Sequence, residues 1–195
     1  MDSTKDRLCG YLGEARENAI FKAEGLAEQL ARTPLTPTGT HILGVLHHLV
    51  INEYEYFGTC LQREANDAYV REFISPHDPD ADFLPPADMD GQQLIGLYRK
   101  AIAFADEGIA ALALDSAVHV PWWGPAGHTT LDHLLIHALA ETSRHAGQLD
   151  IIREQLDGRA GWTATLDLLP GYTTAQWAEH RQKLQHLADS LAPEN

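Results

Sequence analysis

Residues 131–157, LDHLLIHALAETSRHAGQLDIIREQLD, carry the clearest helical pattern in the chain. On a helix of about 100° per residue, His145 lies inside an apolar stripe and Glu141 lies at its edge, about 70° from the centre. The stripe is about 100° wide, as expected for a face that packs on a core. The pattern therefore predicts an amphipathic helix that turns an imidazole and a carboxylate toward other helices. The apolar residues of the stripe are Leu131, Leu134, Leu135, Ala138, Leu149, Ile152 and Leu156.

Helical periodicity recurs in four other segments, and each begins near a residue type that caps helices. These predicted helices run from Leu8 to Leu30, from Ile42 to about Val70, from Leu94 to near Leu114, and from Trp177 to Leu191. The residues predicted to cap the five helices are listed in chain order, with the helix of residues 131–157 as the fourth: Ser3, Thr38 or Thr40, Asp90, Thr129 and Thr173. Asp157-Gly158 is predicted to end the helix quoted above.

Two loops interrupt this helical pattern. Residues 73–90, FISPHDPDADFLPPADMD, contain four prolines and five aspartates, and 18 residues is longer than most connections in compact domains. Such a loop is predicted to act as a crossover or a lid and to border a site. Residues 116–128, SAVHVPWWGPAGH, form a second loop with a possible short extended piece. We therefore predict an all-α four-helix bundle with a long crossover loop and an additional C-terminal helix, in one domain over residues 1–195.

Composition excludes several classes of partner. The 195 residues include 14 basic and 28 acidic side chains, so the net charge of −14 repels nucleic acid and anionic membranes. The two cysteines form no C-x-x-C motif, which favours a reducing compartment. No signal peptide and no run of about 18 apolar residues is present, so we predict a cytoplasmic protein that does not bind membranes. The oligomeric state stays open between a monomer and a homodimer.

The burial of Glu141 needs a physical explanation. A carboxylate that leaves water costs several kcal/mol unless a proton, a cationic side chain or a metal ion meets it. Glu141 and His145 are four residues apart, so both side chains can reach one ion, but a metal needs a third ligand from elsewhere. Two alternatives remain: a water-bound pair at the rim of the bundle, and a structural ion pair of Glu141 with Arg144 or Lys100 that binds no metal.

Periodicity does not identify the third ligand. The second predicted helix offers His47 and His48, and both lie on the flanks of its apolar stripe. Motifs of other metal, phosphate and dinucleotide sites are absent: the sequence contains no E-x-x-H, H-E-x-x-H, G-x-x-x-x-G-K-[ST] or G-x-G-x-x-G. A di-iron, zinc-protease, P-loop or Rossmann function is thereby excluded.

Two segments resemble a known family. HILGVLHHLVINEYEYFG (41–58) and VPWWGPAGHTTLDHLLIHALAETSRHAGQLDIIREQLDG (120–158) are similar to the DinB-like superfamily, in particular to its branch of mycothiol-dependent maleylpyruvate isomerase and mycothiol-transferase-like proteins. The resemblance implies a metal held by His48, Glu141 and His145. Many relatives have histidine where this chain has Glu141, but the isomerase branch resembles this chain in using glutamate.

The implied ligand set defines a chemistry. Two imidazoles and one carboxylate give zinc three protein ligands and one open position, which is typical of a catalytic site; nickel or iron(II) also fit. A metal-bound water exchanges there for a thiol, which loses its proton and becomes a nucleophile. The resemblance implies mycothiol or a similar low-molecular-weight thiol, an electrophilic substrate, and S-transferase or isomerase activity in detoxification. The alternative is a non-catalytic, stress-associated bundle that binds metal or a small ligand.

Five other residues are candidates for substrate binding. The two adjacent tryptophans of the second loop have packing as their structural alternative. The polar candidates lie on the same predicted helix as the metal-ligand pair, one beside His145 and two beyond it, and surface exposure or a salt bridge is their alternative. The five candidates are Trp122, Trp123, Arg144, Gln148 and Arg153. The two cysteines, Cys9 and Cys60, are predicted to be buried thiols without a neighbouring base.

Overall fold

A computed structural model describes residues 3–65, 81–163 and 168–191 of the chain. The helices are α1 (Thr4–Ala23), α2 (Glu28–Ala31), α3 (Ile42–Phe57), α4 (Gly91–Ala111), α5 (Leu131–Asp157) and α6 (Thr174–Ser190). The strands are β1 (Ala117–His119) and β2 (His128–Thr130), and short 3-10 turns cover Thr59–Leu61, Ala81–Phe83 and Pro121–Gly127.

Four long helices form the bundle. Helix α1 packs mainly on α5, α3 packs mainly on α4, and contacts between α3 and α5 join the two pairs. Apolar side chains that are almost fully buried fill the space between these helices; Leu46, Leu49, Leu94, Tyr98, Leu134 and Leu149 are examples. The prediction of an all-α bundle with an additional C-terminal helix is confirmed.

The capping predictions have a mixed outcome. The capping boxes at Ser3, Asp90 and Thr173 are present, each with reciprocal bonds between the cap residue and the side chain three residues on. The predicted cap at Thr129 is wrong because this residue lies in β2, where it pairs with Val118 of β1. Helix α5 instead begins after Thr130, which makes no side-chain capping bond.

The cap of α3 is His41, not Thr38 or Thr40. The His41 ring nitrogen Nδ1 accepts a hydrogen bond from the Gly44 amide, whereas the Thr40 hydroxyl accepts one from Thr36. A histidine is outside the residue types that usually cap helices, so this cap could not be predicted from its residue type.

Two helices end earlier than predicted. Helix α1 ends at Ala23 rather than near Leu30, because Glu24 is extended and Gly25 has a φ of +70°. The Glu24 carbonyl accepts hydrogen bonds from Arg153 and Arg159, at 2.8 and 3.0 Å, so distant side chains hold this break in place. Helix α3 ends at Phe57; of the predicted extension to Val70, residues 58–65 are not α-helical and residues 66–70 lie outside the described residues.

The second loop is more ordered than its sequence indicates. Strands β1 and β2 pair antiparallel, with Val118 opposite Thr129, so the predicted extended piece is present as β1. The Pro121–Gly127 turn between them carries the two tryptophans to the beginning of α5. Among the helices that the structure describes, none is both long and apolar enough to span a membrane.

Candidate metal centre

Three side chains from two helices converge on one point. His48 comes from α3, and Glu141 and His145 come from α5; their donor atoms all lie within 4.8 Å of one another. His145 Nε2 is 2.9 Å and His48 Nε2 is 3.6 Å from the same Glu141 oxygen, Oε1. Ligands at about 2.0–2.2 Å from a tetrahedral cation are about 3.4 Å apart, so small side-chain shifts would accommodate one ion.

The packing of α3 distinguishes its two adjacent histidines. His47 is fully buried, and its Nδ1 lies 2.9 Å from the carbonyl oxygen of Asp82. His48 faces α5, and its ring centroid is 4.7 Å from that of His145. Periodicity did not distinguish His47 from His48 as the third member of the cluster. The structure places His48 beside Glu141 and His145 on α5.

Both ring nitrogens of His145 lie within hydrogen-bond distance of a side-chain oxygen. Nδ1 lies 2.8 Å from Gln148 Oε1, and Nε2 lies 2.9 Å from Glu141 Oε1, so an acceptor faces each ring nitrogen. A neutral imidazole carries only one N–H and satisfies only one of the two acceptors. A cation at Nε2 would satisfy the second acceptor. Gln148 contacts the ring on the side away from Glu141, and its role in orienting a ligand stays a prediction.

His48 is held from three sides. The Asn52 amide donates to Nε2 at 3.0 Å, and the Phe83 ring stacks on the imidazole with centroids 4.5 Å apart. The buried Nδ1 has no hydrogen-bond partner among the described residues, and the nearest carboxylate oxygen, Asp82 Oδ2, is 3.5 Å away. Since Asn52 binds the Nε2 lone pair, the proton belongs on Nδ1. The Asn52 hydrogen bond would have to break before Nε2 could bind an ion, and Asp82 lies behind the ring on the Nδ1 side.

Electrostatics keep Glu141 ionised. Burial opposes its charge, but the hydrogen bond from His145 and the charges of His145 and His48 outweigh burial, so the pKa of Glu141 lies below its usual value. Within the described part of the chain, Glu141 pairs with these two histidines and not with Arg144 or Lys100. The donor set and the anionic carboxylate fit a divalent cation.

An aromatic wall borders this centre. The Tyr56 hydroxyl lies 2.9 Å from His137 Nε2, and His137 lies one helical turn before Glu141. The Trp122 ring is 5.5 Å from Tyr56, and the Trp123 ring is 4.7 Å from His137. The two loop tryptophans therefore contact the wall and not the three convergent side chains themselves. Burial lowers the pKa of His137, so its ring is neutral at neutral pH.

The remaining candidates lie further away. Arg144 is exposed. Arg153 is buried two helical turns beyond His145, and it donates to Asp157 and to the carbonyls of Lys22 and Glu24. These bonds join α5 to the end of α1, so the observed contacts of Arg153 are structural.

Neither cysteine is an activated nucleophile. Burial raises the pKa of Cys60 to about 12 and also raises the pKa of Cys9. Cys60 is buried as predicted, whereas Cys9 is partly exposed. A reactive thiol at this centre would have to come from another molecule.

Sequence reasoning missed five neighbours of the centre, which are Asn52, Tyr56, Asp82, Phe83 and His137. A signal existed for the first two, because His48, Asn52 and Tyr56 follow one another at spacings of four on α3 and so share a helical face. Asp82 and Phe83 belong to the loop that was predicted to border a site, but nothing in the sequence singles them out within it.

Comparisons with known proteins identify the family and the fold. A family model described as mycothiol-S-transferase matches residues 7–158. The solved structure of a conserved protein from Enterococcus faecalis superposes with a TM-score of 0.65 at 13% identity, covering 82% of this chain and 100% of that chain; it shows the fold alone. No curated protein matches the chain.

Proposed function

Because the chain belongs to the mycothiol-S-transferase family, a DinB-like branch, we propose that it transfers a low-molecular-weight thiol to an electrophile with the help of a divalent metal ion. The proposed ligands are His48, Glu141 and His145. Family membership supports a mycothiol-related transferase role and a small-molecule thiol as substrate. Metal dependence, an isomerase variant of the reaction and the identity of the electrophile are parts of the proposal.

One observation carries this proposal: three donor atoms from two helices lie within 4.8 Å of one another, and an acceptor faces each nitrogen of His145. Zinc is the proposed ion because two imidazoles and one carboxylate are common zinc ligands in catalytic sites, and nickel or iron(II) are the alternatives. When bound, such an ion lowers the pKa of a thiol at its open position and supplies a thiolate at neutral pH. A cytoplasmic location remains a prediction.

The chain's own residues would orient and protect this chemistry. Gln148 would hold the His145 ring and Phe83 would hold the His48 ring, while the Asn52 amide would release His48 Nε2 when an ion binds. Tyr56 and Trp122 provide an apolar wall that would exclude water from the thiolate. His137, neutral and hydrogen-bonded to Tyr56, offers a ring nitrogen near Glu141 that can take up a proton released by the thiol.

Metal analysis of untagged protein tests the ligand set. We expect about one zinc, nickel or iron per chain in the wild type, and almost none in His48→Ala or His145→Ala, because two remaining ligands bind weakly. His133→Ala is the matched control: this exposed histidine is also on α5, but it bonds to Thr129 instead. Equal metal content in the wild type and in all three variants would refute the proposal.

Turnover distinguishes an enzyme from the alternative, a bundle that only binds metal. The protein is incubated with mycothiol and monochlorobimane or maleylpyruvate, with and without added zinc. A transferase or isomerase gives a metal-dependent product that is lost in His145→Ala and retained in His133→Ala. Stoichiometric metal without any product would favour the binding function.

A further inference from the structure

A groove lies on the face of α5 opposite the metal centre. It has a volume of about 560 Å³ and is bounded by α1, α5 and the segments 160–162 and 168–169. Its lining is largely apolar, and several of its large side chains are open to solvent: Tyr11 is 62%, Trp162 46%, Leu168 62% and Leu169 45% exposed. Contiguous exposed apolar surface of this kind is typical of an interaction site.

Helix α6 presents a second exposed apolar surface. Apart from Trp177, every side chain of this helix is exposed, so it contributes no buried residue to the bundle. On an ideal helix, Trp177, Leu184, Leu187 and Leu191 lie within about 45° of a common centre line. The three leucines are 56%, 60% and 75% exposed. We refer to these four residues as the α6 stripe.

Charges around the two surfaces are complementary. The groove is rimmed by the carboxylates of Glu14, Asp150 and Glu154, and Lys22, also in its lining, is already paired with Asp150 at 2.9 Å. On the helix, Arg181 and Lys183 flank the α6 stripe on either side, at about 75–85° from its centre, and Lys183 is paired with Glu179 at 2.8 Å, so Arg181 carries the cationic flank.

The acidic residues of α6 face the other way. Glu179 and Asp189 lie about 125–155° from the centre of the α6 stripe, on the far half of the helix. A carboxylate-rimmed groove thus faces an apolar stripe with a cationic flank, which favours one orientation of the helix in the groove.

We propose that the groove of one copy of this chain receives the α6 stripe of a second copy. Leu169 lies in the wall of the groove, and α6 begins only five residues later. This short connection would have to reverse direction to place the α6 stripe in the groove of its own chain, and the stripe is instead exposed. A second copy supplies the same stripe without a reversal of this short connection. Exchange of α6 in both directions produces a two-fold symmetric dimer in which each contact occurs twice.

The exchanged helix lies beyond the family-matched residues, which end at 158, whereas α1 and α5 lie almost entirely within them. The proposed dimer contact is therefore an addition to the family fold. It uses the face of α5 that is turned away from His48, Glu141 and His145, so it does not depend on metal binding or turnover.

Mass measurement by size-exclusion chromatography with light scattering tests the proposal. At micromolar concentration we expect the wild type at about 43 kDa, twice the chain mass of 21.5 kDa. Leu184→Glu combined with Leu187→Glu should give a monomer, because two carboxylates would be buried in an apolar groove. Gln182→Glu, on the far side of α6, is the control and should remain a dimer.

The groove is tested through Gly147, which lines it and whose added Cβ would meet no atom within 4 Å. Gly147→Gln should fill the groove and give a monomer, whereas Gly147→Ala should remain a dimer. Both substitutions favour helix formation, so the fold is expected to persist. Unchanged circular dichroism and unchanged metal content are the checks on folding.

Mixing the two monomeric variants identifies the exchange. The double leucine variant retains an open groove, and Gly147→Gln retains an intact α6 stripe, so together they should form a heterodimer through one contact. Absence of this heterodimer, a wild type that is monomeric at every concentration, or dimers that survive in both variants would each overturn the proposal. A monomer whose Trp177 is shielded from quenchers would indicate that α6 docks in its own groove instead.

Discussion

Two polar clusters connect the helices of this bundle, and they differ in their balance of charge. In the first, Arg16 of α1 donates to both oxygens of Glu53 on α3, at 2.7 and 2.5 Å, and to Asp106 of α4 at 2.8 Å. Burial opposes the charge of Arg16, but the Glu53 carboxylate raises its pKa above the ordinary value. The second cluster is the candidate metal centre, where His48 and His145 surround Glu141.

The first cluster contains its own cation, and the second does not. The guanidinium of Arg16 satisfies Glu53 with two parallel hydrogen bonds, in a site where both side chains are less than 5% exposed. At the candidate metal centre the carboxylate meets only imidazoles, and the Glu141 side chain is 31% exposed. A closed, buried ion pair links two helices, whereas an open, cation-deficient cluster is suited to bind a ligand.

The largest expected effect comes from breaking the closed cluster. Glu53→Gln leaves the Arg16 charge buried without its principal partner, and we expect the free energy of unfolding to fall by about 3–5 kcal/mol. Asp106→Asn is the matched control; the Asp106 side chain is 59% exposed, so its loss should cost less than about 1 kcal/mol. Urea unfolding of the metal-free proteins measures both values. Equal losses in the two variants would contradict the comparison.

A smaller effect is expected from loosening the open cluster. Gln148→Leu removes the acceptor that is predicted to orient His145, and the loss of such an orienting group typically weakens metal affinity about 10- to 100-fold. The stability of the metal-free protein should change little, because the site is not needed to close the bundle. Competition with a chelator measures the affinity. Gln155→Leu, the same substitution at an exposed position of α5, should leave it unchanged; a similar loss there would argue against an orienting role.

The smallest effect concerns the protonation of Glu141 in metal-free protein. A carbon-detected NMR titration should give a pKa for Glu141 below 4.5 in the wild type and a higher value in His145→Ala, because the His145 hydrogen bond is the largest of the effects that lower it. Since the folded-state pKa is depressed, the stability that Glu141 contributes is present above about 4.5 and is lost as the pH falls through the lower folded value. An identical midpoint in both proteins would show that His145 does not hold the carboxylate.

Local sequence signals were reliable where the chain interacts with itself over a few residues. Three capping boxes, the end of α5 at Gly158 and the pairing of Glu141 with His145 were predictable, since each depends on residues three or four positions apart. The early end of α1 was not predictable from periodicity. It is held by Arg153 and Arg159, more than 120 residues away in the chain.

The candidate site also has residues that could be predicted from local sequence and residues that could not. The two α5 members were visible as a carboxylate and an imidazole on one face, and the family resemblance pointed to His48. Asp82 and Phe83 were invisible as individuals, because their positions beside His48 depend on how a loop returns to α3. The role of Arg153 could not be predicted either. An arginine on a helix becomes a structural hydrogen-bond donor only where another element brings its backbone carbonyls within reach.

The sequence by itself determined the helices, their apolar faces, the anionic surface and the chelating pair, because periodicity, capping and i, i+4 spacing are properties of one helix alone. Only the tertiary structure decided that His48 rather than His47 faces this pair, that Gln148 contacts His145, and that one polar cluster is closed while the other is open. The physical reason is that charge balance and coordination depend on which side chains different helices bring within a few ångströms. Contacts between helices are set by the packing of the whole bundle.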